Sequence, residues 1–341
     1  MTEPFHRVRV AEVIAETPDA CSLVLDLPPA LDARFAYLPG QFLTVRVPGN
    51  GSGAARCYSL SSSPHTDTAP KITVKRVRDG YVSNWICDHV AAGSELELMA
   101  PAGLFVPPSL DRDLLLLAGG SGITPVISII KSALAQGRGH LALLYANRDT
   151  ASVIFAAELA QLTREHPGRL HVSHWLDAEQ GPPAVATLEE FLRPYADREA
   201  FVCGPEPYVA VACRAMRRVG LPTARIHVER FQSGSETGAA PSPEEHPEDE
   251  RIATVEVELN GQTHQLPWPA RTRLLDLLIA GGLNPPYSCR QGTCGACACR
   301  VVRGEVELLH NEVLEDEDFA EGYTLACQAV PRTDEVGISY S

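Results

Sequence analysis

PYSCRQGTCGACAC, residues 286–299, is the stretch from which the organisation of the chain can be worked out. Cys289, Cys294 and Cys297 stand as C-x4-C-x2-C, and Cys327 follows in TLACQAV after 29 intervening residues. Four thiolates at this spacing satisfy the two irons of a [2Fe–2S] centre. Gly292 and Gly295 suit a loop folded tightly enough for backbone N–H groups to reach sulfur. The alternative is a four-cysteine zinc site, which usually shows two CxxC pairs. This loop has one, so the spacing favours iron–sulfur over zinc. Cys299 is left over and reads as a small, inert core residue on the strand that follows.

Just upstream, IATVEVELNGQTHQLPW alternates on both sides of Asn260-Gly261, a two-residue turn signal. RTRLLDLLIAGG then reads as a helix ending at a glycine pair. Hairpin, helix, cysteine loop and distant Cys327 together resemble the plant-type [2Fe–2S] ferredoxins. The resemblance covers residues 252–341 and implies a β-grasp fold and one-electron transfer.

Before this segment lies QSGSETGAAPSPEEHPEDE, residues 232–250, with no large apolar residue. Such a composition cannot bury enough surface to fold, so residues 232–251 are predicted to be an acidic flexible linker. Lys and Arg number 29 and Asp and Glu 43, a net charge of −14. Of this, residues 1–231 carry 22 − 24 = −2, residues 232–251 carry 1 − 6 = −5 and residues 252–341 carry 6 − 13 = −7. That balance argues against nucleic acid or an anionic membrane as partner. No run approaches a membrane span, MTEPFHRVRV lacks the apolar core of a secretory signal, and clustered rather than spread cysteines suit a reducing compartment. The expected location is the cytoplasm.

Residues 1–108 are predicted all-β. RVRVAEVIAE, CSLVLDL, QFLTVRV, KITVKRV and ELELMAP are strand-like runs set apart by turns, as in a small antiparallel barrel or sandwich. Residues 109–231 change to strand–helix alternation: DLLLLAG, HLALLYA, LHVSHWL, AFVCG and RIHVE, with helical stretches between them. Continuous apolar strands in such alternation predict a doubly wound parallel α/β sheet. The fold class is therefore multidomain, with ligands of the second domain at the C-terminal ends of its strands.

Two stretches of the first domain suit a flavin. In RCYS, residues 56–59, a guanidinium can pair with phosphate, an aromatic ring can stack and a hydroxyl can bond a ring nitrogen. In GYVSNWICDHV, residues 80–90, Gly80 followed by Ser83 opening an amphipathic helix offers free N–H groups to a pyrophosphate. Two turns of the second domain suit a nicotinamide nucleotide. LLLLAGGSGITP, residues 114–125, runs strand, glycine turn, helix start, and FVCGPEP, residues 201–207, repeats that pattern. Taken from residues alone, Cys203 reads as a buried structural thiol.

The order of these pieces resembles the ferredoxin–NADP reductase superfamily. By that resemblance Arg56, Cys57, Tyr58, Ser59, Val74, Lys75, Gly80, Val82 and Ser83 line the flavin site. Gly120, Gly122, Thr124, Cys203, Gly204 and Pro205 face the nicotinamide nucleotide, Glu229 and Phe231 lie near the two rings, and Ser59, Cys203 and Glu229 are the catalytic candidates. GYVSN resembles the FAD-binding branch; phthalate-dioxygenase-reductase-type relatives bind FMN and carry a glycine-rich stretch there. FAD is therefore expected. Asp177 and Glu179 in SHWLDAEQG suit a ribose hydroxyl better than a phosphate and point to NADH, with Arg148 in YANRD as the contrary signal.

A nicotinamide gives two electrons as hydride, a [2Fe–2S] cluster takes one, and a flavin can hold two and release them singly. The sequence therefore predicts a relay from NADH to FAD to cluster to an acceptor, docked through the acidic C-terminal segment. The order of domains resembles the reductase components of multicomponent oxygenases, and PGQFLTVRVPG, RCYSLSSSPHTD and GYVSNWICD resemble most those of the 3-ketosteroid 9α-hydroxylase kind. That implies a Rieske-type terminal oxygenase in steroid breakdown as partner. Similarity to phenylacetyl-CoA epoxidase reductases leaves a di-iron oxygenase as the alternative, and a redox sensor without turnover is a reading of another class.

Overall fold

The computed structural model describes residues 5–49, 53–222, 225–231, 251–259, 261–283, 285–287, 292, 295, 297–311, 313–314 and 316–340. They fall into two compact units, one within Phe5–Ser233 and the other within Gly234–Ser341.

The first unit opens with β1 (His6–Thr17), β2 (Ala20–Asp26), β3 (Phe42–Val47), β4 (Ala54–Ser59), β5 (Lys71–Lys75), α1 (Tyr81–His89) and β6 (Glu95–Leu98). The strands form one sheet in the order β4-β3-β6-β1-β2-β5. An isolated bridge from Leu60 to Ile72 brings the β4 edge onto β5, and Ser61 N–H donates to the Lys71 carbonyl at 2.7 Å, so the sheet curls toward a barrel. The alternation of RVRV and QFLTVRV turns Val8, Val10, Leu43 and Val45 inward against Leu23, Leu25, Ile72 and Ile86 of α1.

There follow β7 (Leu114–Gly119), α2 (Ile123–Gln136), β8 (Leu141–Asn147), α3 (Ala156–Glu165), β9 (Leu170–Leu176), α4 (Asp177–Gln180), α5 (Val185–Leu192), β10 (Glu199–Gly204), α6 (Glu206–Arg218) and β11 (Ile226–Arg230). The order β11-β10-β7-β8-β9 is parallel throughout. Successive leucines of β7 explain the two-sided burial. Leu114 and Leu116 pack with α2 and α3, while Leu115 and Leu117 pack with α5 and α6. Because β8 lies on one side of β7 and β10 on the other, the strand order reverses at β7, and doubly wound sheets hold their ligands beyond the carboxyl ends at such a reversal.

Polar contacts clamp the barrel to this sheet. Ser128 Oγ donates to the Ser62 carbonyl at 2.6 Å, Ser63 and Ser132 hydroxyls meet at 2.8 Å, and the buried Lys131 ammonium reaches Asp67 at 2.8 Å and Glu158 at 2.7 Å. Breaking one side of such a buried pair is costly because it strands a charge.

The second unit holds β12 (Ile252–Leu259), β13 (Gln262–Pro269), α7 (Leu274–Ala280), β14 (Ala298–Arg303), β15 (Val306–Leu308), α8 (Asp316–Ala320), β16 (Tyr323–Leu325), β17 (Ala329–Pro331) and β18 (Glu335–Ser339). The hairpin runs in unbroken register from Ile252–Pro269 to Leu259–Gln262. A parallel β12–β18 pair and antiparallel β14 make the mixed five-stranded sheet β13-β12-β18-β14-β16. α7 lays Leu274, Leu275 and Leu278 on it beside Trp268. This is the β-grasp arrangement. The linker residues 232–250 lie outside the described residues, and no helix among the described residues is long and apolar enough to cross a membrane.

Two local expectations are corrected. The helix expected to open at Ser83 begins at Tyr81, with Gly80 as an extended cap. Ser83 sits in its first turn and its hydroxyl accepts the Val77 N–H at 3.1 Å, closing the preceding turn rather than capping the helix. The SHWLDAEQG loop holds a single helical turn, α4.

Candidate active site and cluster ligands

The two glycine turns meet at the strand-order reversal. A Cβ on Gly122 would fall 2.1 Å from the Cys203 carbonyl oxygen, and one on Gly119 would fall 2.8 Å from the Tyr208 ring. These glycines therefore let one turn pack on the other. Gly120 alone, at φ +53°, has open space before it, and its nearest neighbour there is Lys75 Nζ at 3.8 Å. Gly120 is the glycine of this turn that leaves room for a ligand. Tyr145, from the middle of the sheet, pins the turn by donating to the Gly120 carbonyl at 3.0 Å and accepting the Ile154 N–H at 3.3 Å. Nothing in YANRD, which reads as an ordinary strand end, marks Tyr145 for this role.

Parallel register sets Glu229 of β11 beside Cys203 of β10. Cys203 is fully buried, and burial followed by the nearby Glu229 charge pushes its thiol well above the ordinary range. Glu229 Oε2 is sealed without a hydrogen-bond partner, although part of the residue reaches solvent. Desolvation, then Cys57, raises its carboxyl to about 8. Across from it on β4, Cys57 sits 3.8 Å from the Thr44 hydroxyl. Strand alternation puts Ser59 on the Cys57 face. Ser59 is buried, and its hydroxyl has no partner. A sealed hydroxyl and a sealed carboxyl without partners are groups short of a ligand, and their chemistry fits the polar edge of a flavin ring. Arg56 and Tyr58 take the other face of β4. Arg56 Nη1 donates to the Ala55 carbonyl at 2.8 Å, and burial raises the Tyr58 phenol. Val74 and Val82 are buried, and Lys75 faces Asp19 at 3.8 Å. Thr124 is buried in the first turn of α2 and donates to the Ser121 carbonyl at 3.1 Å. Gly204 packs against Gly119 and Tyr208, Pro205 caps α6, and Phe231 packs on the core beneath α2.

In the second unit Cys297 and Cys327 come together from loop and strand end. Both are buried, and the Cys327 N–H points at Cys297 Sγ at 3.4 Å. A second donor carries no sequence signal: Gln328 Nε2 lies 3.7 Å from Cys327 Sγ. Its chain packs against Gly292, at φ +78°, where a Cβ would meet Gln328 Cγ at 2.9 Å. Buried sulfurs that each receive an N–H donor fit thiolates on a cluster. Cys289 and Cys294 lie outside the described residues. Cys299 is buried on β14, as expected of a core thiol.

Family profiles agree with this arrangement. The oxidoreductase FAD-binding domain matches residues 7–106, the oxidoreductase NAD-binding domain residues 116–214, and the 2Fe-2S iron-sulfur cluster binding domain residues 257–332. The chain is 51% identical over 335 residues, 97% of its length and 95% of the relative's, to the ferredoxin reductase component of 3-ketosteroid-9-alpha-monooxygenase from Rhodococcus rhodochrous. The chain belongs to this reductase family. The reductase is also 32% identical over 364 residues, 98% of each chain, to a component of the 1,2-phenylacetyl-CoA epoxidase of Escherichia coli. The solved structure of phthalate dioxygenase reductase shares its fold, with a TM-score of 0.58 at 24% identity over 99% of this chain and 100% of that one. The chain is thus an oxidoreductase with FAD-binding, NAD-binding and 2Fe-2S domains.

Proposed function

We propose that this reductase takes electrons from NADH and passes them through FAD and the [2Fe–2S] cluster to a terminal oxygenase of 3-ketosteroid breakdown, in the cytoplasm. The observation that carries the reading is the pair of sealed, unpartnered polar atoms, the Ser59 hydroxyl on β4 and Glu229 Oε2 on β11, the latter beside Cys203. When bound, flavin supplies the step from paired to single electrons.

The chain's own residues position and protonate. Ser59 has a hydroxyl to donate to a ring nitrogen. Glu229, with its carboxyl at about 8, holds a proton on Oε2 at neutral pH and can release it beside the reacting ring. Cys203, kept as a thiol, would add no charge beside a bound nicotinamide. The Gly122–Cys203 contact fixes how far apart the two turns stand.

The preference for NADH is supported by Asp177 at the end of β9. Its Oδ1 is sealed without a partner, so it would accept a ribose hydroxyl, and as a carboxylate it would disfavour a 2′-phosphate. Arg148, the contrary signal, is engaged with Asp149 at 3.1 Å and Ser152 at 3.0 Å. Domain limits of 1–108, 109–231 and 252–341, and Cys289, Cys294, Cys297 and Cys327 as cluster ligands, belong to the same reading. The 51% identity to a ketosteroid enzyme's reductase, against 32% to the epoxidase component, favours the steroid acceptor.

The test is reconstitution with a ketosteroid-hydroxylating oxygenase. NADH-driven product formation, at higher kcat/KM than with NADPH, is expected. Coupling to an epoxidase component but not to the steroid oxygenase would overturn the acceptor, and a preference for NADPH would overturn the role of Asp177.

A further inference from the structure

Away from the nucleotide turns, two thiols stand in contact. Cys21 projects from β2 and Cys87 from near the end of α1, with their Sγ atoms 3.7 Å apart. Both are half-buried, so small solutes can reach them. The other described cysteines differ. Cys203, Cys213, Cys297, Cys299 and Cys327 are buried, and Cys57 pairs with the Thr44 hydroxyl. The Cys87 S–H donated to Cys21 draws the Cys21 thiol below its ordinary pKa against the pull of burial, and the Arg76 guanidinium adds to that effect. Arg76 is held there by Asp88 at 2.6 Å and by Asn84 at 3.4 Å, both on α1. Glu16 is the opposing charge on the β1 side. A stabilised thiolate in contact with a second thiol is the combination that oxidises first.

We propose that Cys21 and Cys87 are a modification site, a dithiol that hydrogen peroxide closes to a disulfide joining β2 to α1. The Cys21 thiolate attacks peroxide: an S–O bond forms, the O–O bond breaks, and the departing hydroxide takes a proton to become water. The Cys87 sulfur then attacks the sulfenic sulfur of Cys21. The S–S bond forms, the S–O bond breaks, and the hydroxyl leaves as a second water with the Cys87 proton. Two electrons pass from the sulfur pair to the peroxide, which is supplied from solution. An S–S bond is about 2.05 Å long, so the sulfurs need to close by about 1.7 Å from their present 3.7 Å. The tied helix is the one that carries Gly80, Val82 and Ser83 at its other end. Oxidation therefore fixes the helix that presents the candidate flavin residues.

The experiment uses the full-length holoprotein, exposed to hydrogen peroxide, quenched with an alkylating agent, digested and read by mass spectrometry. The expected result is loss of alkylation at Cys21 and Cys87 together, appearance of the Cys21–Cys87 linked peptide, and its reversal by dithiothreitol. C21S abolishes the link, and C87S leaves Cys21 as a trappable sulfenic acid. Full alkylation of both residues in protein whose other thiols have been oxidised would refute the proposal. So would a link from either residue to a different cysteine. The linked peptide from the unsubstituted protein decides the matter by itself if a serine variant fails to fold.

Discussion

Replacing Gly122 with alanine probes the packing of the two nucleotide turns. The added methyl would fall 2.1 Å from the Cys203 carbonyl oxygen, 2.4 Å from its carbon and 2.7 Å from Gly204 N. All three are backbone atoms, so a flexible side chain cannot yield; the turns must separate. Overpacking of this kind costs about 1–3 kcal/mol. In a unit the size of Phe5–Ser233, that lowers Tm by about 2–12 °C. Displacing the turn by about 1 Å is expected to lower kcat/KM for NADH by about 100-fold, with ferricyanide as acceptor so that the cluster is not involved. Gly168→Ala is the control. Unlike Gly122, at φ −60°, Gly168 has a positive φ of +82°, and nothing lies within 4 Å of its added Cβ. It is expected to lose about 1–2 kcal/mol of stability and to keep its NADH kinetics. If Gly122→Ala keeps both Tm and NADH turnover, the contact between the turns does not set the site.

Further outcomes follow from single residues. Glu229 has a carboxyl raised to about 8 from an ordinary 4.5. It binds a proton in the fold that the unfolded chain gives up, so its contribution is fully present below pH about 4.5 and lost as pH rises through about 8. Thermal melts should show Glu229→Gln gaining on the parent across that window, and parallel curves would contradict the buried carboxyl. Ser59→Ala should lower the hydride-transfer rate in stopped flow by about 10-fold or more while flavin stays bound; an unchanged rate removes Ser59 from the site. Gln328→Leu takes away the N–H donor 3.7 Å from Cys327 Sγ. An EPR-monitored redox titration should find the cluster harder to reduce by up to about 59 mV, a tenfold change in equilibrium, with iron and sulfide content intact. Lys131→Met leaves Asp67 and Glu158 without their shared partner and should cost about 3–5 kcal/mol in denaturant unfolding.

What the sequence made legible was local or periodic. LLLL at residues 114–117 has no polar face, and only a strand covered on both sides needs that. Asn260-Gly261 marked its hairpin because φ at Gly261 is +72°, a value that favours glycine. The cysteine spacing is a chemical pattern and survives any fold. What stayed hidden depends on register and on packing between distant segments. Glu229 meets Cys203 only because β10 and β11 pair in parallel at that offset. Lys131 lies in an apolar helix, and its partners Asp67 and Glu158 come from a barrel loop and from α3. The sequence does not show that the bare backbone at Gly119 and Gly122 also admits the neighbouring turn. Cys21 and Cys87 are 66 residues apart and touch only once α1 has folded onto β2.

The most direct test of the relay is an anaerobic titration of the holoprotein with NADH, followed by visible absorbance and EPR. Bleaching of the flavin band together with growth of a rhombic iron–sulfur signal, the two adding up to the NADH consumed, is the expected result. Flavin reduction with a cluster that stays oxidised, or protein that takes up no electrons from NADH, would contradict the account.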